Sequence, residues 1–194
     1  MTILPWGLSP RVIIKLIKKG DTEMKYKYLL GVFFFVIVTG CGTMAYQPQE
    51  YPLRDDLIAP LAVTGDVQFN NVQASKEQAI VYSYAGSKLA SNYHDITQVM
   101  VEQARKELGK HTKTKTPGAA KKIDISVNYL LSIYKIMHWN SEIRFTAKLG
   151  NGEVIDKRVT HGSGVLLQDL NGCIAEAVIE LFKDEKVRAY ISGK

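Results

Sequence analysis

Alternation of apolar and polar residues predicts the strands of the C-terminal half of the chain. The segment from Ile123 to Ile133 predicts a strand with one buried face. Its buried positions at period two are Ile123, Ile125, Val127, Tyr129, Leu131 and Ile133. Ile143 to Leu149 alternates likewise, and Asn151-Gly152 favours a hairpin turn into a returning strand from Val154 to His161. Two further segments with this pattern are Leu61 to Phe69 and, as an edge strand, Gln78 to Tyr84.

Helical periodicity predicts two helices. The first runs from about Asp95 to Leu108, with Asp95 as its cap and Gly109 ending it. The second runs from about Gln168 to Lys186, and each helix has one apolar face to pack on a sheet. The intervening segment Lys110 to Lys122 is expected to be a mobile loop. The fold class expected is α+β: an antiparallel sheet of four to five strands with two helices packed on one face.

The N-terminal region has the pattern of a cleaved export signal. Lys25 and Lys27 precede an apolar run from Leu29 to Val38, which is too short to span a bilayer. Small residues then precede a cysteine, in the order Val38, Thr39, Gly40 and Cys41. This sequence resembles the bacterial lipobox, so we expect cleavage after Gly40 and acylation of Cys41. The alternative is an ordinary signal peptide or an uncleaved anchor with an incidental cysteine.

These signals divide the chain into four parts. Met24 is the better translation start, and a basic amphipathic surface helix is the alternative interpretation of the residues before it. The predicted parts are an upstream extension (1–23), a lipoprotein signal peptide (24–40), the acylated cysteine with a flexible tether (41–59), and a periplasmic α+β domain (60–194).

Removal of the signal changes the charge balance. The whole chain has 25 basic and 19 acidic residues, and residues 41–194 retain 19 and 17 of them. This near balance gives no electrostatic case for nucleic-acid binding. The basic cluster from Arg105 to Lys122 is expected to be solvated surface, with attraction to anionic headgroups as the alternative.

Candidate catalytic chemistry is sparse in the sequence. The four histidines, His94, His111, His138 and His161, do not have metal-ligand spacing, and the serines lack a nucleophile-elbow motif. Cys173 is expected to be a small core residue. We therefore expect no catalytic residue, no metal and no cofactor.

Aromatic residues around the joint between the two best strands offer a possible partner patch. Tyr134, His138 and Trp139 lie there and could present an aromatic surface to a protein or a glycan. The alternative is that these rings cap the core, because Tyr and Trp usually bury the ring and leave one polar atom at the surface.

The layout of the chain resembles small Gram-negative outer-membrane lipoproteins, and most closely the YajG-like family. The resemblance rests on the lipobox, the helix ending Glu107-Leu108-Gly109, the strand from Ile123 to Ile133, the Asn151-Gly152 hairpin and the terminal helix. It implies lipidation at Cys41. It also implies sorting to the outer membrane, because Gly42 rather than aspartate follows the cysteine.

The function expected from these observations is binding without catalysis. We expect a lipoprotein on the periplasmic face of the outer membrane, acting as an accessory subunit with an envelope protein as partner. The alternative is a lipid or glycan carrier, with a groove lined by Leu131, Phe145 and Ile174 between sheet and helices. A periplasmic hydrolase is a third hypothesis.

Overall fold

A long antiparallel hairpin forms the centre of the sheet. The structure is a computed structural model that describes residues 42–194. Within that part, β7 (Lys121–Lys135) and β8 (His138–Leu149) pair along nearly their whole lengths, and β9 (Val154–Ser163) pairs with the other side of β8. The three strands predicted over this stretch, and the Asn151-Gly152 turn between the last two, are confirmed.

Six shorter strands and three helices make up the other regular elements of the described residues. The strands are β1 (Thr43–Ala45), β2 (Leu61–Thr64), β3 (Val67–Asn71), β4 (Gln78–Tyr84), β5 (Ser87–Asn92) and β6 (Thr112–Thr116). The helices are α1 (Tyr93–His111), α2 (Leu166–Lys183) and α3 (Glu185–Ser192). The α+β class is confirmed.

The main sheet of the described residues has seven strands and mixed directions. Its order is β1-β5-β4-β7-β8-β9, and β3 also pairs with β7. β3 lies along the start of β7, from Lys121 to Ile125, whereas β4 meets β7 farther along at Ser132. Both pairings are parallel, and β2 and β6 form a separate parallel pair. The predicted four- to five-stranded antiparallel sheet is therefore corrected to a larger, mostly antiparallel but mixed one.

A β-bulge changes which face of β7 is buried. The pairing with β8 shifts register between Val127 and Tyr129. Because side chains alternate with period two, one extra residue exchanges the faces of the rest of the strand. Ile123, Ile125 and Val127 are in the core as predicted, but beyond the bulge Leu130 takes the buried position. The predicted burial of Tyr129, Leu131 and Ile133 is wrong, and Ile133 is 55% exposed.

Both helices differ from their predicted ends. α1 begins earlier than expected because the Asn92 side chain caps it, accepting a hydrogen bond from the Asp95 amide at 2.8 Å. It continues past Gly109 to His111. The second predicted helix is divided at Asp184, whose carboxylate accepts from the Lys186 amide at 3.0 Å and thereby starts α3.

A glycine divides the strand predicted from Leu61 to Phe69. Gly65 has φ +78°, and a Cβ at this position would lie 2.1 Å from the carbonyl oxygen of Ala119. The chain therefore leaves β2, which belongs to the two-stranded sheet, and enters the main sheet as β3. The segment expected as a loop from Lys110 to Lys122 contains the end of α1 and β6, so that expectation is also corrected.

Residues 42–59 pack against the domain and do not form the expected tether. β1 adds a strand beside β5, and the Tyr46 amide donates to the Ala90 carbonyl at 2.7 Å. Residues 46–60, which we name the strap, then run over the helices. Tyr46 Oη donates to Asn171 Oδ1 at 2.7 Å, Gln103 Nε2 donates to the Tyr51 carbonyl at 2.6 Å, and Ile58 is buried.

The helices cover one face of the sheet. The buried side chains of β8 alternate with wet ones, and the buried set is Ser141, Ile143, Phe145, Ala147 and Leu149. They form one core with the buried faces of α1 and α2. Phe69 of β3 meets Phe182 of α2 edge to face, with ring centroids 5.9 Å apart. The opposite face of β7, β8 and β9 is exposed to solvent over most of its area.

Candidate functional site

The turn between β7 and β8 exposes two large apolar side chains. Ile136 is 89% exposed and Met137 is 85% exposed. The last residue pair of the hairpin is Lys135 with His138, so Ile136 and Met137 extend past the end of the sheet. We name these two residues the tip. Predicted partner residue His138 is exposed beside them.

One residue of the tip has a strained backbone conformation. Met137 has φ +69°, a left-handed conformation that glycine or asparagine adopts more readily. Holding a methionine there costs about 1 kcal/mol relative to glycine. Local turn preference therefore does not account for this residue.

Three aromatic rings lie behind the tip. The ring centroids of Tyr84 and Tyr134 are 5.0 Å apart, and those of Tyr134 and Trp139 are 5.2 Å apart. Tyr134 and Trp139 are half-buried and pack against the core, and among the described residues Trp139 Nε1 has no hydrogen-bond partner. The predicted patch therefore combines both interpretations: Tyr134 and Trp139 cap the core, and His138 is at the surface. Sequence analysis missed Ile136 and Met137, although two adjacent apolar residues in a turn were a readable signal.

Further apolar residues lie at the same end of the sheet. Tyr134 pairs with Trp139 and Trp139 with Ser163, so β9 ends beside the tip. The following residues Val165 and Leu167, at the start of α2, are 51% and 53% exposed. The apolar end, as we use the term, comprises four segments: 42–46, 83–88, 132–141 and 161–168.

The exposed charges of the apolar end have one sign. Its four segments contain Lys88 and Lys135 but no aspartate or glutamate. Of the two carboxylates that directly adjoin these segments, Asp169 is buried and Glu142 is paired with Arg144 and Arg158. Both lysines are exposed. This end therefore combines exposed apolar side chains with an excess of positive charge.

The opposite end of the sheet carries many charged side chains, most of them in pairs of opposite sign. This charged end comprises the end of α1, β6, the Asn151-Gly152 turn and α3. Most of the basic cluster predicted there has carboxylate or carbonyl partners. The ion pairs are Lys106 with Glu50 at 2.9 Å, Lys110 with Asp55 at 2.5 Å, Lys115 with Asp66 at 3.5 Å and Lys122 with Asp124 at 3.5 Å. Hydrogen bonding to Glu50 and its charge raise the pKa of Lys106, and a hydrogen bond from Lys110 lowers the pKa of Asp55. These pairs favour the interpretation of the cluster as solvated surface.

A buried carboxylate joins the start of α2 to the hairpin. Ser132 Oγ donates to Asp169 Oδ2 at 2.7 Å, and Ser141 Oγ donates to the same oxygen. Asp169 is fully buried, and among the described residues its Oδ1 has no partner. His161 lies against Gly172 in α2 but, in residues 42–194, hydrogen-bonds to neither Ser141 nor Asp169. The cluster is thus a structural attachment and lacks the geometry of a catalytic triad.

The other titratable side chains named by sequence analysis lie apart. His94 Nδ1 meets the Gln73 carbonyl at 2.7 Å, and His111 Nε2 lies 3.2 Å from Glu107 Oε2. Burial, and then the charge of Asp169, raise the pKa of the Cys173 thiol far above its usual range, so it stays protonated. Across the part of the chain that the structure describes, no group of three metal-ligating side chains occurs.

The predicted ligand groove is wrong. Phe145 and Ile174 are packed in the core with at most 1% exposure, and the bulge turns Leu131 to the opposite face of the sheet, where it pairs with Glu142. These three residues line no common space.

The predicted lipidation site lies outside the described residues. This applies to Val38, Thr39, Gly40 and Cys41. No helix within residues 42–194 is both long enough and apolar enough to cross a membrane.

Comparison with known proteins gives only distant structural similarity. No family model matches the chain, and no curated protein matches it. A Xanthomonas campestris protein of the DUF330 family is 13% identical, with a TM-score of 0.43 over 72% of this chain and 92% of that one. A Caulobacter crescentus protein provisionally described as a lipoprotein is 14% identical, with a TM-score of 0.39 over 65% of this chain and 92% of that one.

A third structure, lipoprotein GNA1162 from Neisseria meningitidis, is 12% identical, with a TM-score of 0.29 over 64% of this chain and 98% of that one. At these identities and TM-scores the similarity does not show a shared function. None of the three descriptions names the YajG-like family, which stays a resemblance from sequence.

Proposed function

We propose that this chain is a bacterial lipoprotein, anchored by acyl chains on Cys41, whose α+β domain acts by binding and not by catalysis. We place it on the periplasmic face of the outer membrane, with an envelope protein as its partner. The observation that carries the proposal is the lipobox Val38 to Cys41, directly followed by a folded domain that begins at Gly42.

Non-catalytic action is supported by how the polar side chains are used. Asp169 is saturated on one oxygen by two serines, Cys173 is buried, and His94 and His111 have partners within their own neighbourhood. A hydrolase would need a nucleophile and a base within hydrogen-bond reach of each other and of solvent. A lipid or glycan carrier is not supported, because the core fills the space that its groove would need.

Lipidation is tested by metabolic labelling with palmitate. Label should be incorporated into the wild-type protein and lost in Cys41→Ala. The matched control is Cys173→Ala, which removes the other cysteine of the chain and should stay labelled. Labelling that persists in Cys41→Ala would overturn the anchor.

Sorting is tested at the next residue. A Cβ at Gly42 would meet nothing within 4 Å, so Gly42→Asp should leave the domain folded. On density-gradient fractionation we expect wild type in outer-membrane fractions and Gly42→Asp in inner-membrane fractions. Gly42→Ser is the control and should follow wild type. Identical distribution of all three would contradict the proposed sorting.

The binding role is tested by photo-crosslinking in living cells. A crosslinking residue at Lys148, on the wet face of β8, and one at Lys113, at the charged end, sample two exposed surfaces. A single envelope protein captured reproducibly from one position and not from the other would support an accessory role. Turnover of peptidoglycan or phospholipid by the purified protein would contradict it.

A further inference from the structure

The chain enters the domain at the apolar end. β1 is parallel to β5, with Thr43 beside Lys88 and Ala45 beside Ala90. β5 runs away from the Ala85-Gly86 turn, so the chain before Thr43 leaves on the same side as that turn. The turn belongs to the β4–β5 hairpin, and β4 runs parallel to β7 toward the tip. The same end of the sheet therefore carries Gly42, Tyr84, Tyr134 and Trp139.

The separation of the entry point from the tip is small. β1, β5, β4 and β7 are neighbours in that order, so three strand spacings separate Thr43 from β7, about 14 Å. Cys41 directly precedes Gly42 in the sequence, so an acyl anchor on it would be attached one residue before the domain. An acyl anchor on Cys41 thus brings the bilayer to this end of the sheet.

Gly42 is the one residue between Cys41 and the first strand of the domain. Thr43 to Ala45 are part of the sheet, and the Tyr46 amide and hydroxyl are both hydrogen-bonded. A chain that is paired in the sheet from its third mature residue, Thr43, leaves little free length to lift the domain away from the leaflet that holds its acyl chains. Whatever lies at the apolar end must accommodate lipid.

The chemistry of the apolar end fits such a surface. Ile136, Met137, Val165 and Leu167 are exposed apolar side chains, and Tyr84, which is 53% exposed, supplies a ring of the kind found at headgroup depth. The half-buried rings of Tyr134 and Trp139 lie behind it. Lys88 and Lys135 are exposed and add positive charge, with no aspartate or glutamate in the segments that contain them, which favours anionic headgroups. The same apolar set would be unfavourable in water.

We infer that the apolar end lies on the membrane, in the leaflet that holds the acyl chains of Cys41, with Ile136 and Met137 inserted below the headgroups. This inference rests on the proposed lipidation of Cys41. It assigns the tip to lipid and leaves the wet face of the sheet and the charged end free for a protein partner.

The mature chain contains its own probe for this contact. The sequence has two tryptophans, Trp6 and Trp139, and only Trp139 follows the predicted cleavage site. The lipidated protein is reconstituted in vesicles of phosphatidylethanolamine and phosphatidylglycerol in which part of the lipid carries bromine on its acyl chains. We expect Trp139 fluorescence to fall as the brominated fraction rises, and to be protected from iodide in the water.

Variants at the two ends of the sheet separate insertion from anchoring. Ile136→Ser with Met137→Ser should keep palmitate label but lose most bromolipid quenching and gain iodide quenching. The matched control is Val154→Ser, because Val154 is 49% exposed at the charged end and should have no effect.

Three outcomes distinguish the failures. Absence of palmitate label overturns the proposed function itself. Full label without bromolipid quenching of Trp139 overturns the membrane contact and leaves the anchor in place. A photo-crosslinker at Met137 that captures one protein in cells, with no bromolipid quenching in vesicles, would reassign the tip to a protein partner.

Discussion

The two turns of β8 solve the same geometrical problem with opposite chemistry. At one end Gly152 has φ +94° in the polar turn Asn151-Gly152, where the Asn151 side chain accepts from the Glu153 amide. At the other end Met137 has φ +69° beside Ile136. The first turn uses residues suited to its backbone. The second keeps two exposed apolar side chains at a conformational cost, so turn geometry does not explain its residues.

The charges of the two ends differ in the same way. Lysines at the charged end are paired with carboxylates of the strap and of neighbouring strands, for example Lys106 with Glu50. At the apolar end Lys88 and Lys135 have no carboxylate in any of the four segments around them. The lysines of the charged end are therefore neutralised by the domain's own carboxylates, whereas the positive charges of the apolar end are exposed to solvent.

The largest expected effect is at the charged end. Gly65→Ala should lower the free energy of unfolding by about 3 kcal/mol, because a Cβ there combines positive φ with collision against the Ala119 backbone. Chemical unfolding of the mature protein in mild detergent measures this loss. Gly152→Ala is the matched control: it has positive φ but open space, so it should lose only about 1 kcal/mol. Equal losses would show that the collision is relieved.

The next effect tests how the apolar end is held to the core. Asp169→Ala should cost about 2 kcal/mol, because it leaves the Ser132 and Ser141 hydroxyls buried without an acceptor. Asp169→Asn retains an acceptor and should cost about half as much. Hydrogen exchange should rise in the first turns of α2 in both variants. The same loss in Ala and Asn would mean that the serine hydrogen bonds do not stabilise this attachment.

Acid should loosen the charged end first. Burial alone would raise the pKa of Asp184, but hydrogen bonds from Lys157 and from the Val187 and Lys186 amides outweigh it and hold the pKa below its usual range. A depressed carboxyl pKa gives stability that is present above the unfolded pKa and is lost as pH falls through the folded one.

Amide exchange in α3 should therefore accelerate below about pH 4, while amides beside the tip stay unchanged. Asp184→Asn keeps an acceptor for the cap, lacks the ion pair with Lys157 and should cost about 1 kcal/mol at neutral pH. Its α3 exchange should depend less on acid than that of wild type. Equal acid sensitivity would exclude Asp184 as the titrating group.

The smallest effect is a gain. Met137→Gly should raise the free energy of unfolding by about 0.5 kcal/mol, because glycine relieves the left-handed strain and little packing is lost at 85% exposure. Ile136→Ser should change it by less than about 0.5 kcal/mol. A loss above about 1 kcal/mol in either variant would mean that the tip stabilises the fold and is not held for an external contact.

Sequence patterns predicted the charged half of β7 and β8 better than the apolar half. Up to Val127 the alternation is read correctly, because each buried position is clearly apolar and each intervening one polar. Beyond it Leu130 and Leu131 are adjacent, so hydrophobicity cannot say which of the two faces the core. The β-bulge between Val127 and Tyr129 determines that Leu130 is the one that faces the core. The same ambiguity placed Leu131 in a groove that does not exist.

The N-terminal segment was missed for a different reason. β1 and the strap have no period of their own, because their contacts are with Ala90, Gln103 and Asn171, far away in the sequence. β5 is short and polar, and its place is set by the Ala85-Gly86 turn, in which both residues have positive φ. Long-range pairing of this kind leaves no signal in a single sequence.

The length of β8 limits how far the charged end can lie from the membrane. The twelve residues of β8 span about 40 Å, which is the greatest height above the lipid that they can reach with Ile136 and Met137 in the leaflet. Under the proposed anchoring, the Asn151-Gly152 turn lies at the far end of that strand, away from the membrane. Only components of the envelope that reach this level would meet the charged end.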